Sequence, residues 1–233
     1  MDFAIIAAGE GSRLIQEGVK WPKPLVRLDG ITLIDRLIHV FLQHNPTSIN
    51  IIINEEMREV REHLEKADIP VPFHLVVKST PSSMHSFYEL SKVIKSNKFC
   101  LTTVDTIFKE KEFEDYIRTF EKTNELDGLM AVTDYIDDEK PLYVQTDRDF
   151  FIHQFSDSPE KACMYISGGI YCLQRSAFKV LEKAMSEGVS RMRNFQRMLI
   201  SEGLQLKAYP FSKIIDVDHA EDILKAEAFL KIH

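Results

Sequence analysis

No stretch of this sequence approaches the ~20 consecutive apolar residues of a membrane span. The N-terminal apolar run, Phe3 to Ala7, leads straight into glycines and is too short for the apolar core of a secretory signal. A membrane partner and a secreted location are therefore not expected. Cysteine is scarce: Cys100, Cys163 and Cys172 are odd in number and far apart, with no C-x-x-C, which argues against a disulfide framework. Cys100 and Cys172 lie inside apolar runs and are expected as buried free thiols. None of the eight histidines has metal-ligand spacing, and no Ser/His/Asp arrangement is legible. Positive charge is also in deficit, with 29 Lys and Arg against 36 Asp and Glu, a net −7 that disfavours nucleic acid as the main partner. Repeats, low-complexity segments and long linkers are missing as well. What remains is 233 residues, 44% apolar and 28% charged, enough for one domain with a proper core. A cytoplasmic enzyme or binding protein is the expected class.

Strand and helix signals alternate through the first half. Phe3–Ala7, Ile49–Ile53, Phe73–Val77, Phe99–Val104 and Leu129–Val132 read as strands. Thr32, with Asp35 three residues on, resembles a capping box before the helical face of Leu33, Leu37, Val40 and Phe41, and Asn45–Pro46 stops that helix. Glu55–Lys66, Phe87–Ile94 and Phe113–Phe120 complete a β–loop–α series. Such a series predicts an α/β, Rossmann-like domain with a mainly parallel or mixed central sheet and helices on both faces. After about Tyr135 the pattern changes. Leu142–Thr146 and Phe150–Phe155 flank Asp147–Arg148 as a hairpin, and Cys163–Leu173 is a strand interrupted by Gly168–Gly169. Ser176–Glu187, Asn194–Ser201 and Ala220–Leu230 read as helices, Leu204–Tyr209 and Lys213–Val217 as strands. The expectation is a single domain, 1–233. Residues 1–134 form a nucleotide-binding half, and 135–233 an elaboration closing a cleft over it.

The organising stretch is FAIIAAGEGSRL, followed ten residues after Arg13 by Lys23 between Pro22 and Pro24. A strand opening into a turn with Gly9 and Gly11 lets backbone N–H groups approach a phosphate, and Arg13 and Lys23 add positive charge there. This points to a nucleoside triphosphate. The third glycine of the dinucleotide fingerprint is replaced by Leu14, and no G-K-[ST] follows, so neither a Rossmann dehydrogenase nor a Walker loop fits. The flanking prolines should hold Lys23 in extended geometry. Asp105 ends an apolar strand and either caps a helical turn or binds a ligand. Asp216 and Asp218 alternate to one face of a strand, and Asp218 also suits a helix N-cap before HAEDI. Two carboxylates from distant strand ends suit Mg²⁺, which takes one or two carboxylates plus phosphate oxygens. Arg191, Arg193 and Arg197 form a local basic patch, ordinarily a solvated helix start.

The combination A-A-G-x-G-S-R-L, P-K-P-L, strand-end Asp105, G-G-I-Y (Gly168 to Tyr171) and I-D-V-D-x-x-E-D-I resembles the sugar-1-phosphate nucleotidyltransferases, the NDP-sugar pyrophosphorylases of GT-A-like fold. The resemblance spans nearly the whole chain. It implies that Ala7, Ala8, Gly9, Gly11 and Ser12 cradle the nucleotide, with Ser79, Ser82 and Ser83 from the following loop. It also implies that Arg13 and Lys23 act on the phosphates and that Asp105 and Asp216 bind Mg²⁺. On the acceptor side it points to Asp157, Ser167, Gly169 and Tyr171. Four motifs depart. E-G-T-A is replaced by Ser79 to Met84, and F-x-E-K-P becomes Phe155-Ser156-Asp157-Ser158-Pro159, losing its lysine. The asparagine of N-A-G-I-Y is Ser167, and a glycine of D-V-G-T-P-E-D is Asp218. The implied partners are an NTP and a small phosphomonoester, a sugar 1-phosphate or, as the alternative, a non-sugar such as phosphocholine with cytidylyl transfer. The reading leaves a homo-oligomer open. A non-catalytic nucleotide-binding relative is a second alternative. A glycosyltransferase is disfavoured, since Asp105-Thr106-Ile107 is not D-x-D.

Overall fold

The computed structural model describes residues 1–137, 139–159 and 164–231. In chain order these form β1 (Asp2–Ile6), α1 (Ser12–Gln16), a 3-10 turn (Lys23–Leu25), β2 (Arg27–Leu28), β3 (Ile31–Thr32), α2 (Leu33–Leu42), β4 (Ser48–Ile53) and α3 (Arg58–Glu65). There follow β5 (Phe73–Val77), α4 (Ser83–Ser91), β6 (Lys98–Thr103), β7 (Thr106–Ile107), α5 (Glu110–Lys122) and β8 (Gly128–Thr133). The second half adds β9 (Tyr143–Thr146), β10 (Ile152–Ser156), β11 (Tyr165–Gln174), α6 (Ser176–Ser186), α7 (Met192–Ser201), β12 (Leu206–Phe211), β13 (Ile215–Asp216) and α8 (Ala220–Lys231).

One mixed sheet, nine-stranded among the described residues, runs β10-β9-β11-β6-β1-β4-β5, with β8 on the other edge of β11 and β12 beyond it. β1 is parallel to β4 and β6, and β4 to β5. β11 is antiparallel to β6, β8 and β9, so it joins the parallel half to the later hairpin. β1 is buried along its whole length, which its continuous apolar run requires of a central parallel strand. Its side chains alternate between two cores. Phe3, Ile5 and Ala7 pack with α2, α3, α5 and α8, while Ala4 and Ile6 pack with α4, α6 and α7. The first core holds the Phe3–Phe41–Phe113–Phe108 ring contacts and the second Phe87–Phe99–Phe178. Pro210 is tolerated in β12 because, past the single bridge of Lys207 to Phe151, that strand pairs with β8 alone.

What places the site is register. Ile6 lies level with Ile52 and Thr103, and Ile53 with Val77. The loops after β1, β4, β5 and β6 therefore open on one edge, where ligands of such sheets gather. The Thr32 cap forms as expected, its hydroxyl accepting from Asp35 N at 3.1 Å. The hairpin β9–β10 and the Gly168–Gly169 interruption also form, the latter as a register shift in β11 between Ser167 and Tyr171.

Several boundaries move, each for a local reason. α3 starts at Arg58 rather than Glu55 because Asn54 turns the chain first: its Oδ1 accepts from Glu56 N and its carbonyl from Met57 N. α4 starts at Ser83, four residues before Phe87, and ends at Ser91. The expected strand Lys213–Val217 contracts to β13, which pairs with β7 apart from the main sheet. The short α1 and the β2–β3 hairpin were not legible. Cys100 and Cys172 are buried free thiols and register partners across β6 and β11, whereas Cys163 lies outside the described residues.

Candidate active site

The strand-end loops surround a cleft of about 690 Å³. Its lining includes Ala8, Gly9, Gly11, Ser12, Arg13, Lys23, Ser79, Ser82, Ser83 and Asp105, which the sequence had singled out from four separate segments. Ala7 stands apart from them: it is fully buried, and its N–H is spent on Ile52 O at 2.9 Å. Gly11 takes φ +63°, a backbone region that favours glycine, and a Cβ placed there would lie 3.0 Å from Lys23 Cβ. The turn and the lysine are thus packed against each other.

Lys23 is not extended, contrary to the expectation from its two prolines. Pro22 is, but Lys23 opens a 3-10 turn closed by Leu25 N to Pro22 O at 2.8 Å and Val26 N to Lys23 O at 3.1 Å. Pro24 fits the start of such a turn, where a missing N–H costs nothing. Lys23 is only 7% exposed, and its ammonium donates to Asp105 Oδ2 and to Asp218 Oδ1, the latter at 2.7 Å. Burial alone would lower the Lys23 pKa, but the charges of Asp105 and Asp218 outweigh it and hold the ammonium above the usual lysine range. Burial likewise pushes Asp105 up. Lys23 and the Thr103 hydroxyl more than offset this and hold it below the ordinary carboxylate value.

Asp105 and Asp216 are neighbours through the β7–β13 ribbon. Asp216 is level with Thr106, and Val217 N donates to Asp105 O at 3.0 Å. β7 follows Asp105 directly, so the helix-capping role does not apply to it. Loss of hydration first, and then the charges of Asp105 and Asp218, push the Asp216 carboxyl up to about 8. Asp216 is open to solvent, so the weight falls on the two like charges. It lines a second cavity of about 700 Å³, separated from the first by Arg13 and Asp218, which line both.

Asp218 does not cap α8 either. Asp222 Oδ2 accepts from Asp218 N at 3.1 Å and His219 N at 2.8 Å, while Glu17 accepts from Ala220 N at 2.6 Å and pairs with His219. The Asp218 carboxylate is thereby released to the cleft, where Oδ2 accepts from Arg13 Nη1 at 3.1 Å. Arg13 also reaches Glu139 at 3.4 Å.

Among the described residues no group of three or more His, Cys, Asp and Glu side chains is arranged to hold a metal ion. Backbone register sets Asp105 beside Asp216, and the charge of Asp105 is felt at the Asp216 carboxyl, but Asp105 lines the first cavity and Asp216 the second.

The acceptor-side residues do not converge in this way. Asp157 pairs with Arg193 at 2.6 Å and Arg197 at 2.7 Å, so two arginines of the basic patch share one carboxylate. Ser167 Oγ donates to Gln196 Oε1 at 2.8 Å, and Gln196 Nε2 to the Tyr171 hydroxyl at 3.4 Å. Tyr171 is buried, and burial raises its pKa. Gly169, at φ +74°, brings β11 against Thr106 on the ribbon. Of these residues only Ser167 lines a described cavity with Asp216, and that one is about 30 Å³.

The family model described as nucleotidyl transferase matches residues 4–232. The chain belongs to that family. Its curated relatives include the bifunctional protein GlmU of Thermodesulfovibrio yellowstonii, 26% identical over 99% of this chain and 52% of that protein. GlmU of Methanococcus maripaludis is 25% identical over 97% of this chain and 53% of its own length. The chain spans about half the length of the curated relatives it matches. Two solved structures share the fold. The inositol-1-phosphate CTP transferase from T. maritima has a TM-score of 0.82 at 17% identity, over 99% of this chain and 96% of that one. A putative glucose-1-phosphate thymidylyltransferase from Bacillus anthracis has 0.84 at 18%, over 100% and 96%. The fold is the GT-A-like one of this family.

Sequence reasoning missed Asn54, whose Nδ2 donates to Ala8 O at 3.2 Å, and the cleft-lining Glu10 and Glu56. Asn54 carried a signal: like Asp105, it is a polar residue ending an apolar strand. Gln196 carried one too, as a polar residue within the buried stripe Met192, Phe195, Leu199. Glu17 and Glu139 carried none.

Proposed function

We propose that the chain transfers a nucleotidyl group from an NTP to a phosphomonoester, releasing pyrophosphate, with a sugar 1-phosphate as the acceptor class. One observation carries this reading: Lys23, nearly buried and paired with Asp105 and Asp218, opens beside the Gly9–Gly11 turn onto the same cleft as Arg13.

The acceptor oxygen is already anionic at neutral pH, so no general base is needed, and the protein must supply alignment and charge. The turn would bind the phosphates through its backbone. Lys23, kept protonated by its two carboxylates, would stabilise charge on the equatorial oxygens of the α-phosphate. Arg13 would hold the departing pyrophosphate. Asp105 and Asp216 would hold Mg²⁺, whose chemistry there is charge neutralisation and Lewis-acid polarisation of the α-phosphate. Ser79, Ser82 and Ser83, with Asn54, would line the nucleoside end of the cleft.

A second reading, cytidylyl transfer to a non-sugar phosphomonoester, is favoured by the acceptor side. The usual lysine is absent there, and Asp157 occupies Arg193 and Arg197. The test is a pyrophosphate-release screen crossing the common NTPs with hexose 1-phosphates, inositol 1-phosphate and phosphocholine in the presence of Mg²⁺. Release with one pair supports the transferase and selects the acceptor. Silence across the screen, with nucleotide binding retained, overturns it in favour of a binding protein.

A further inference from the structure

Asp218 stands between the two cations that face the phosphate end of the cleft. One oxygen accepts from Lys23 Nζ at 2.7 Å and the other from Arg13 Nη1 at 3.1 Å. Its position is built rather than incidental. The backbone is held by Val217 N to Asp105 O at 3.0 Å and by the bonds of Asp218 N and His219 N to Asp222. Glu17 anchors the next turn at Ala220 N. Helix capping, the ordinary task of an aspartate in this place, is done by those other carboxylates. The side-chain oxygens are therefore left to accept from Lys23 and Arg13. Lys23 and Arg13 against Asp105 and Asp218 sum to zero, so the cleft offers a bare polyphosphate no net attraction. Glu10 and Glu56 add further negative charge to its lining.

We infer that Asp218 is a discriminating residue: it makes the cleft reject metal-free polyphosphate and accept the same chain of phosphates only when a divalent cation has lowered its charge. A phosphate entering between Arg13 and Lys23 must displace a carboxylate already bonded to both. It also meets that carboxylate as a like charge at hydrogen-bond range, where repulsion is steep. A cation-complexed polyphosphate carries less charge into the same place. Free phosphate and uncomplexed nucleotide are thus kept from occupying Lys23 and Arg13. The inference rests on reading the cleft as a nucleotide site.

The test is binding of inorganic tripolyphosphate by titration calorimetry to the full chain, with excess chelator and separately with excess Mg²⁺. Wild type is compared with Asp218→Asn and Asp218→Gly, and melting curves confirm that each variant folds. In chelator, both variants should bind about tenfold tighter than wild type, a gain discounted from the bare Coulomb value because Asp218 is partly exposed. In Mg²⁺ the gain should shrink to about twofold or less. A gain of affinity is not what a damaged fold produces. Equal affinity of all three proteins in chelator, or the same gain with and without Mg²⁺, overturns the inference. If no protein, wild type included, binds tripolyphosphate or CTP in Mg²⁺, the nucleotide reading itself falls.

Discussion

The two groups of residues that the sequence singles out treat their polar side chains differently. On the nucleotide side, residues from four strand-end loops face a common opening, and Lys23, Arg13, Asp105 and Asp218 meet within hydrogen-bond range there. On the acceptor side, the motif positions satisfy one another: Asp157 with Arg193 and Arg197, Ser167 with Gln196, Gln196 with Tyr171. The first arrangement leaves charges facing an open cleft; the second pairs side chains away from it. Substitutions should therefore separate into losses of activity on one side and losses of stability on the other.

The largest effect is expected at Lys23. Lys23→Ala should lower turnover ~10²-fold or more through loss of one preorganised cationic contact. Steady-state kinetics alongside a melting curve would decide it, and near-normal turnover would remove Lys23 from the chemistry. Asp2 sharpens the comparison along β1 itself. At the end remote from the cleft its buried carboxylate accepts from Lys95 N at 2.7 Å, Ser96 N at 2.9 Å and Ser96 Oγ at 2.7 Å. Asp2→Ala should cost about 1–2 kcal/mol in denaturant unfolding, because three part-buried donors lose a charged acceptor, while turnover per folded molecule is unchanged. Burial pushes the Asp2 pKa up, but these bonds more than offset it and hold it below its ordinary 3.8. With the folded value depressed, its contribution is complete above the unfolded value and is lost as pH falls through the folded one. The stability gap between wild type and Asp2→Asn should accordingly close in acid.

Gln196→Ala is the matching change on the acceptor side. It should cost about 1 kcal/mol, removing the shared partner of the half-buried Ser167 and the buried Tyr171 hydroxyls, which keep each other, with the Kd for NTP unchanged. A fall in NTP affinity larger than the fall in stability would break the division between the two groups. Smallest of all, Asp157→Asn should stay within about 0.5 kcal/mol of wild type by chemical denaturation, since its ion pairs lie in solvent.

The sequence disclosed the cleft better than its walls. Gly9, Gly11, Arg13, Lys23 and Asp105 were legible because each breaks a local pattern, as a glycine after a strand or a charge at the end of an apolar run. Helix and strand types were legible where periodicity was long, as in α5 and β11. The short elements were not: α1, β2 and β3 have too few residues to show a period. The capping of α8 stayed open because Asp218, Asp222 and Glu17 all offer a carboxylate to one turn, and only their three-dimensional placement distributes the tasks. The pairing on the acceptor side was hidden for a related reason. A motif residue whose partner arrives from α7, tens of positions later, looks free in one dimension.

One feature of the architecture bears on motion. Asp105 leads into, and Asp216 closes, a ribbon of two residue pairs that stands outside the main sheet. Two residue pairs alone would hold it weakly, but Ile107, Ile215 and Val217 are buried in the same core as Phe3 and Ile5, so packing holds the ribbon in place. The placement of Asp105 against Asp216 is then set by how that core packs under the ribbon. Amide exchange at Val217, whose N–H bonds Asp105 O, would report its breathing directly. A change at Ile107 or Ile215 can therefore shift Asp105 against Asp216 without touching either of them.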